Sequence, residues 1–318
     1  MTRPDLSIII ASYNVKQYLI DLIHSIIKYT EKIDYEIIVV DDCSTDHTME
    51  ELRRKFKSRK NIKVINNPEN LGFARTNNQG INIAKGEFVL ILNADTLITD
   101  NGLSHLVEIM RGDKTTGAVG CRVVYPDGQI QYTCARNRFN FWTNLFEQFY
   151  LNNLFPKSRI FGRELISWWD HESERDVDVL SGAFMLVRSD VLKKLDGFDP
   201  YFRSYFEDVD LCFKIKERGY RIRYIPRYKI IHFSGKSFSQ LNERSLIENY
   251  ISRYKFLKRY YHISPLILKM ISIKGLLLKI IVLTLVLIFR YNKKAQKRLV
   301  AFSKVLGWHL KCFFSGLE

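Results

Sequence analysis

Residues 6–15, "LSIIIASYNV", open on a short β-branched run and close on small polar residues. A run of that length reads as a strand buried on both faces. The same reading recurs downstream, with helical segments between. From Gln17 to Tyr29, the residues Tyr18, Leu19, Leu22, Ile23, Ile26 and Ile27 recur at helical spacing. "EIIVV", 36–40, is a second buried strand and runs into Asp41 and Asp42. A helix around Met49 to Phe56, a strand "IKVI", a helix around Ala74 to Ala84, a strand "EFVLIL" and a helix around Leu103 to Met110 follow. This alternation predicts βαβ units, hence an α/β fold with a mostly parallel central sheet flanked by helices. Ligands of such sheets bind at the carboxyl ends of the strands. Ser12, Asn14, Asp41, Asp42, Asn93 and Asp95 all fall there.

Beyond residue 116 the pattern is less regular. "VGCRVVYPDGQIQY" reads as strand, Pro-Asp-Gly turn, strand. Residues 136–172 are rich in aromatics, among them Trp168 and Trp169. A helix over Asp190 to Leu195, the octet "YFEDVDLC" at 205–212 and a strand pair "YRIRYIP" and "KIIHF" close this part. The octet sets Glu207, Asp208 and Asp210 among aromatics, although solvated acids need no such neighbours. Asp208 and Asp210 lie about 200° apart on a helix, so only one of them can face a given pocket.

The 318-residue chain is long enough for a sizeable core, and its apolar content is that of a globular protein. Its net charge of +15 is uneven: residues 253–318 hold 14 Lys and Arg against one acid, which leaves +2 for residues 1–252. A basic tail implies a polyanionic partner. One this rich in Leu and Ile suits an anionic membrane surface and not nucleic acid. Gly275 to Phe289 forms a 15-residue apolar stretch interrupted by Lys279, short of the roughly 20 residues a span needs. A helix lying in the interface is expected, at the cytoplasmic side. The five scattered cysteines form no C-x-x-C and read as reduced thiols, and no signal peptide is evident in "MTRPD". Neither a G-x-G-x-x-G after the first strand nor a P-loop occurs.

Asp95, just past a strand, can hold a divalent cation that neutralises a diphosphate, or can simply cap a turn. "NLGFARTNNQG" gives a tight turn at Asn70 and Gly72 before a helix start, where phosphate is attracted and Arg75 can add a charge-assisted contact.

"SIIIASYN", "EIIVVDDCSTD", "NLGFARTNNQGI", "LILNADT", "LSGAFMLVR", "GFDPYFRSYFEDVDLC" and "IIHFSGKS" occur in this order. Together they resemble family 2 glycosyltransferases, and most of all bacterial rhamnosyltransferases, over about residues 6–237. The resemblance implies a GT-A fold over residues 1–240, with a nucleotide-sugar half to about 125 and an acceptor half over 126–240. It leaves residues 241–318 as a helical membrane-associating region. It implies an inverting, Mg²⁺- or Mn²⁺-dependent transfer from a dTDP- or UDP-sugar to a lipid-diphosphate-linked saccharide. Asp208 is then the base. Ser12, Asn14, Asp41, Asp42, Asn70, Gly72, Arg75, Asn93 and Asp95 lie on the donor side, and Trp168, Trp169, Gly182, Tyr205 and Glu207 on the acceptor side. Asp95 and His232 are the metal ligands, with Asn93 standing where the family's D-x-D motif has its first acid. A membrane-docked sugar- or nucleotide-binding protein of weak activity is the rival reading.

Overall fold

The computed structural model describes residues 3–233, 243–289 and 292–314. In chain order the elements begin β1 (Leu6–Ser12), α1 (Lys16–Tyr29), β2 (Tyr35–Asp41), α2 (Thr48–Phe56), β3 (Ile62–Asn66), α3 (Phe73–Ile83) and β4 (Phe88–Leu92). β5 (Thr96–Ile98), α4 (Gly102–Gly112), β6 (Thr116–Val124), β7 (Ala135–Arg136), α5 (Phe141–Gln148) and α6 (Leu151–Leu154) follow. Then come β8 (Arg175–Asp176), β9 (Val179–Leu180), β10 (Phe184–Arg188), α7 (Ser189–Lys194), α8 (Glu207–Glu217) and β11 (Arg221–His232). Three long helices close the chain: α9 (Glu243–Tyr261), α10 (Pro265–Phe289) and α11 (Lys293–Phe314).

These residues form two compact, interleaved units. One comprises 3–137, 170–203 and 207–233; the other comprises 138–169, 204–206 and the described part of the tail. The boundary expected at 240/241 and Ser234 to Ser237 of the last motif lie outside the described residues.

The first unit is a mixed sheet in the order β3-β2-β1-β4-β10-β6-β11-β5, with β8 on β11 and a separate β7–β9 pair. The β3-β2-β1-β4 half is parallel, as its helical crossovers dictate. β10 enters antiparallel between β4 and β6. β1, β2 and β4 are almost wholly buried, which explains their uninterrupted apolar runs. "YRIRYIP" and "KIIHF", expected as a pair of strands, are one strand. β11 runs alongside β6 with a register shift between Ile225 and Lys229, where Pro226 has no N–H to give the ladder. After the Pro-Asp-Gly turn, the expected second strand shrinks to a single bridge between Val124 and Ile130.

The second unit is helical. Phe139, Phe206 and Phe256 pack edge-on or tilted at its centre, so Phe206 of the octet is core. α10 extends the 15-residue stretch read from the sequence to 25 residues, because helix continues back through Lys274 and Lys269. With 25 residues and an 18-residue window of mean hydropathy 2.4, it is long and apolar enough to cross a membrane. Length therefore does not exclude a span.

Candidate active site

The carboxyl ends of β1, β2 and β4 stand side by side in the sheet. At β1, Ser12 is buried, and Asn14 takes a left-handed backbone with φ 52°. Asn14 N–H donates to Ser44 Oγ (2.9 Å), and its Oδ1 accepts from Thr45 N–H (2.7 Å). At β2, Asp41 accepts from the backbone N–H (2.9 Å) and hydroxyl (2.6 Å) of Ser44, while burial pushes its carboxyl up. Asp42 accepts from Leu71 N–H (2.8 Å), Gly72 N–H (3.0 Å) and Asn67 Nδ2 (3.2 Å). Both acids thus hold the loops that frame the strand ends. Gly72 needs its φ of +84°, and a Cβ there would meet Arg203 Cγ at 2.5 Å. Arg203 in turn donates to Asn70 O and Oδ1, each at 3.0 Å. Arg75 is exposed on the first turn of α3.

At β4 the chain passes Asn93 and reaches the buried Asp95. Asp95 Oδ1 lies 3.2 Å from His232 Nε2 at the end of β11, and Asn93 Nδ2 lies 3.4 Å from the same nitrogen. Gln131, which the sequence reading did not single out, orients this ring. Its Nε2 donates to His232 O (2.7 Å), so its Oε1 faces His232 Nδ1 at 2.9 Å. That arrangement lets Nδ1 donate to Gln131, so Nε2 is the ring nitrogen turned toward Asp95. Two ligands bound at right angles, each about 2.1 Å from a cation, stand about 3 Å apart. The Asp95–His232 spacing fits adjacent ligands of a divalent ion, and the Gln131 contact is the usual support for a ligating imidazole. Among the described residues no third His, Cys, Asp or Glu joins them, so other ligands would have to come from a bound diphosphate and water.

The octet resolves into three separate roles. Asp210 is buried and paired with Lys214 Nζ at 2.6 Å, which also holds Asp199 at 3.1 Å. Asp208, on the first turn of α8, keeps its side chain 16% exposed. Its Oδ2 accepts from Gly182 N–H (3.3 Å) and Arg136 Nη2 (3.5 Å). The next residue, Ala183, accepts at its carbonyl from Asn93 N–H (3.2 Å). The Gly182–Ala183 segment therefore ties Asp208 to the strand end that carries Asp95. A Cβ on Gly182 would press the Phe73 ring at 3.1 Å. Arg136 carries no sequence signal, since it meets Asp208 only through the β7–β9 pair.

Glu207 is 7% exposed, and its Oε2 finds no hydrogen-bond partner. Burial, and then the neighbouring Asp208 charge, push its carboxyl well above the ordinary range. A carboxyl raised on folding binds more protons folded than unfolded, so its contribution is complete below the ordinary range and declines as pH rises toward the raised value. Glu207→Gln copies the protonated form. Scanning calorimetry should show its Tm above wild type at pH 8 and converging with it at pH 5; a constant offset would mean that Glu207 is ionised throughout. Just before it, Tyr205 and Phe206 both take left-handed backbones, φ 67° and 66°, a strain of the kind that collects at functional sites. Tyr205, Trp168 and the buried Trp169 belong to the helical unit, where Arg159 stacks on Trp168 at 5.0 Å.

Two family models match this chain: glycosyl transferase family 2 over residues 7–166, and glycosyl transferase family group 2 over residues 88–292. The chain belongs to glycosyl transferase family 2. This family member is 24% identical over 268 residues to the N-acetylglucosaminyl-diphospho-decaprenol L-rhamnosyltransferase of Mycobacterium tuberculosis, covering 79% of this chain and 83% of that one. It is 34% identical over 117 residues to an uncharacterized glycosyltransferase of Haemophilus influenzae, covering 37% of this chain and only 36% of that protein's length. Its fold is of the GT-A type. The mannosyltransferase PcManGT of Pyrobaculum calidifontis, solved with GDP-Man and Mn²⁺, superposes with a TM-score of 0.59 at 17% identity, covering 100% of this chain and 89% of that one.

Proposed function

We propose that this protein is an inverting transferase that moves rhamnose or a similar hexose from a dTDP- or UDP-linked donor to a hydroxyl of a lipid-diphosphate-linked saccharide. The observation that carries the reading is the Gly182–Ala183 bridge, which links a carboxylate on a helix N-terminus to the strand end that carries Asp95 and its partner His232. In this reading Asp95 and His232 would hold Mg²⁺ or Mn²⁺, and the ion would supply positive charge against a nucleoside diphosphate. Asp208 accepts the proton of the acceptor hydroxyl as its oxygen bonds to the anomeric carbon from the face opposite the leaving group. Gly182 N–H and Arg136 hold the carboxylate in place. The named substrate of the M. tuberculosis relative, a decaprenol-linked sugar, supports the lipid-linked acceptor.

A screen of dTDP- and UDP-sugars against a lipid-linked saccharide tests this. Transfer with inverted anomeric configuration is expected, and nucleotide binding without transfer from any donor would favour a binding protein. A cation shared between protein and diphosphate must also couple their affinities reciprocally. Calorimetry of UDP or dTDP should show about tenfold tighter binding with Mn²⁺ than without, and Asp95→Ala should erase the difference. Equal affinities in wild type would remove the metal from the reading.

The tail supports a reaction at a membrane surface, in this proposal the cytoplasmic face of the cell membrane. α10 buries Ser272 and Lys279 along with Leu268, Leu276 and Leu283, while Ile281, Val282, Leu285 and Val286 are exposed. An apolar patch facing outward beside a basic helix suits an anionic lipid surface. α11 packs along α10 and exposes Lys297 and Arg298. Carrying these charges into hydrocarbon would be costly, which favours α10 lying in the interface over a span. Deleting the tail is a poor test, because α10 covers α5: a Cβ at Gly275 would meet Gln148 O at 2.7 Å.

A further inference from the structure

Lys279 is the charge that α10 turns inward, and it is 6% exposed. Its Nζ lies 5.2 Å from the ring centroid of Tyr150 and 5.7 Å from that of Phe302. Among the described residues no carboxylate stands within 4.0 Å of it. Glu147, the nearest acid to act on it, is engaged by Arg253 Nη2 at 2.8 and 2.9 Å, and Glu164 acts on Arg253 and not on Lys279. Burial lowers the ammonium to about 8. Arg298 of α11 adds a second positive charge near Tyr150. A buried ammonium with rings beside it and no carboxylate in ion-pair range is destabilising unless an anion joins it.

Lys279 also lies near the end of the covered stripe of α10, whose last buried residue is Leu283. Val282 and Val286, three and seven residues beyond Lys279, are 41% and 43% exposed. We propose that Lys279, with Tyr150 and Arg298, binds the phosphate of a lipid whose apolar chain runs along Val282 and Val286. This deepens the lipid-linked acceptor reading and rests on it: the headgroup chemistry is a phosphate or diphosphate ester on a long apolar chain.

The test is partitioning of the full chain onto phosphatidylcholine vesicles, plain or doped with farnesyl diphosphate or with phosphatidylglycerol. Wild type should prefer doped vesicles. Lys279→Met should lose that preference about tenfold, one ion contact's worth, while binding plain vesicles as before. It should also raise Tm, because an unpaired buried charge is replaced by an apolar side chain of similar length. Lys279→Arg should keep the preference. A preference for farnesyl diphosphate alone identifies an acceptor-like diphosphate as the source, and an equal preference for phosphatidylglycerol identifies the bilayer; both support the site. Undiminished preference in Lys279→Met, a fall in its Tm, or equally tight binding of inorganic diphosphate free in solution overturns it. Sugar transfer is not measured, so failure of the donor or acceptor assignment leaves this outcome readable.

Discussion

Asp208→Asn should lower the rate of sugar transfer by about 10²-fold or more, the usual order for losing a general base. Asn still offers an oxygen to Gly182 N–H and occupies the same first turn of α8. The backbone around the site is therefore retained, and only proton acceptance and the charge opposite Arg136 are lost. Nucleoside diphosphate affinity, which the proposed reading sets at the ends of β1, β2 and β4, should be nearly unchanged, since the substitution keeps the Gly182 contact. Initial rates with saturating donor, together with calorimetry of the nucleotide, separate the two quantities. Transfer at the wild-type rate would show Asp208 to be structural, as Asp210 is through Lys214. Loss of nucleotide binding alongside activity would point instead to a collapse of the Gly182–Ala183 bridge.

The second large effect is expected on the outer face of α10. Ile281 and Leu285 are 56% and 50% exposed, one turn apart on the apolar patch. Withdrawing each remaining surface into lipid is worth about 1–2 kcal/mol, and a Glu at either place adds a charge that an anionic surface repels. The double variant Ile281→Glu, Leu285→Glu should therefore partition onto anionic vesicles about 10²-fold more weakly. Folding stability should barely change, because neither residue is in the core. High salt should weaken wild-type binding without abolishing it, since screening removes the attraction of the basic tail and leaves apolar insertion. Unchanged partitioning of the double variant would show that another surface meets the membrane. Resistance of the wild type to both salt and alkaline extraction would indicate that α10 crosses the bilayer.

Much of the first unit follows from local pattern. The uninterrupted runs at Ile8–Ile10, Ile37–Val40 and Val89–Leu92, with helical spacing between them, dictate buried parallel strands. Strand ends then nominate Asp41, Asp42 and Asp95 without further help. What these acids do was not legible. Asp41 and Asp42 spend their acceptors on Ser44 and on the turn at Leu71 and Gly72, and only folding brings those donors within reach. The three acids of the octet look alike in sequence, yet Lys214 takes one, burial raises the carboxyl of another, and Gly182 and Arg136 orient the third.

Composition and periodicity thus determined the α/β class, the strand ends that carry the polar residues, and the basic apolar tail. Only the tertiary structure could choose Gln131 and Arg136, which meet His232 and Asp208 across separations of 101 and 72 residues. It alone turned Lys279 inward and the valines of α10 outward. The physical reason is the same in each case. Backbone periodicity is a local property that sequence spacing records, whereas the partner of a charge is set by which distant side chain fills the space beside it.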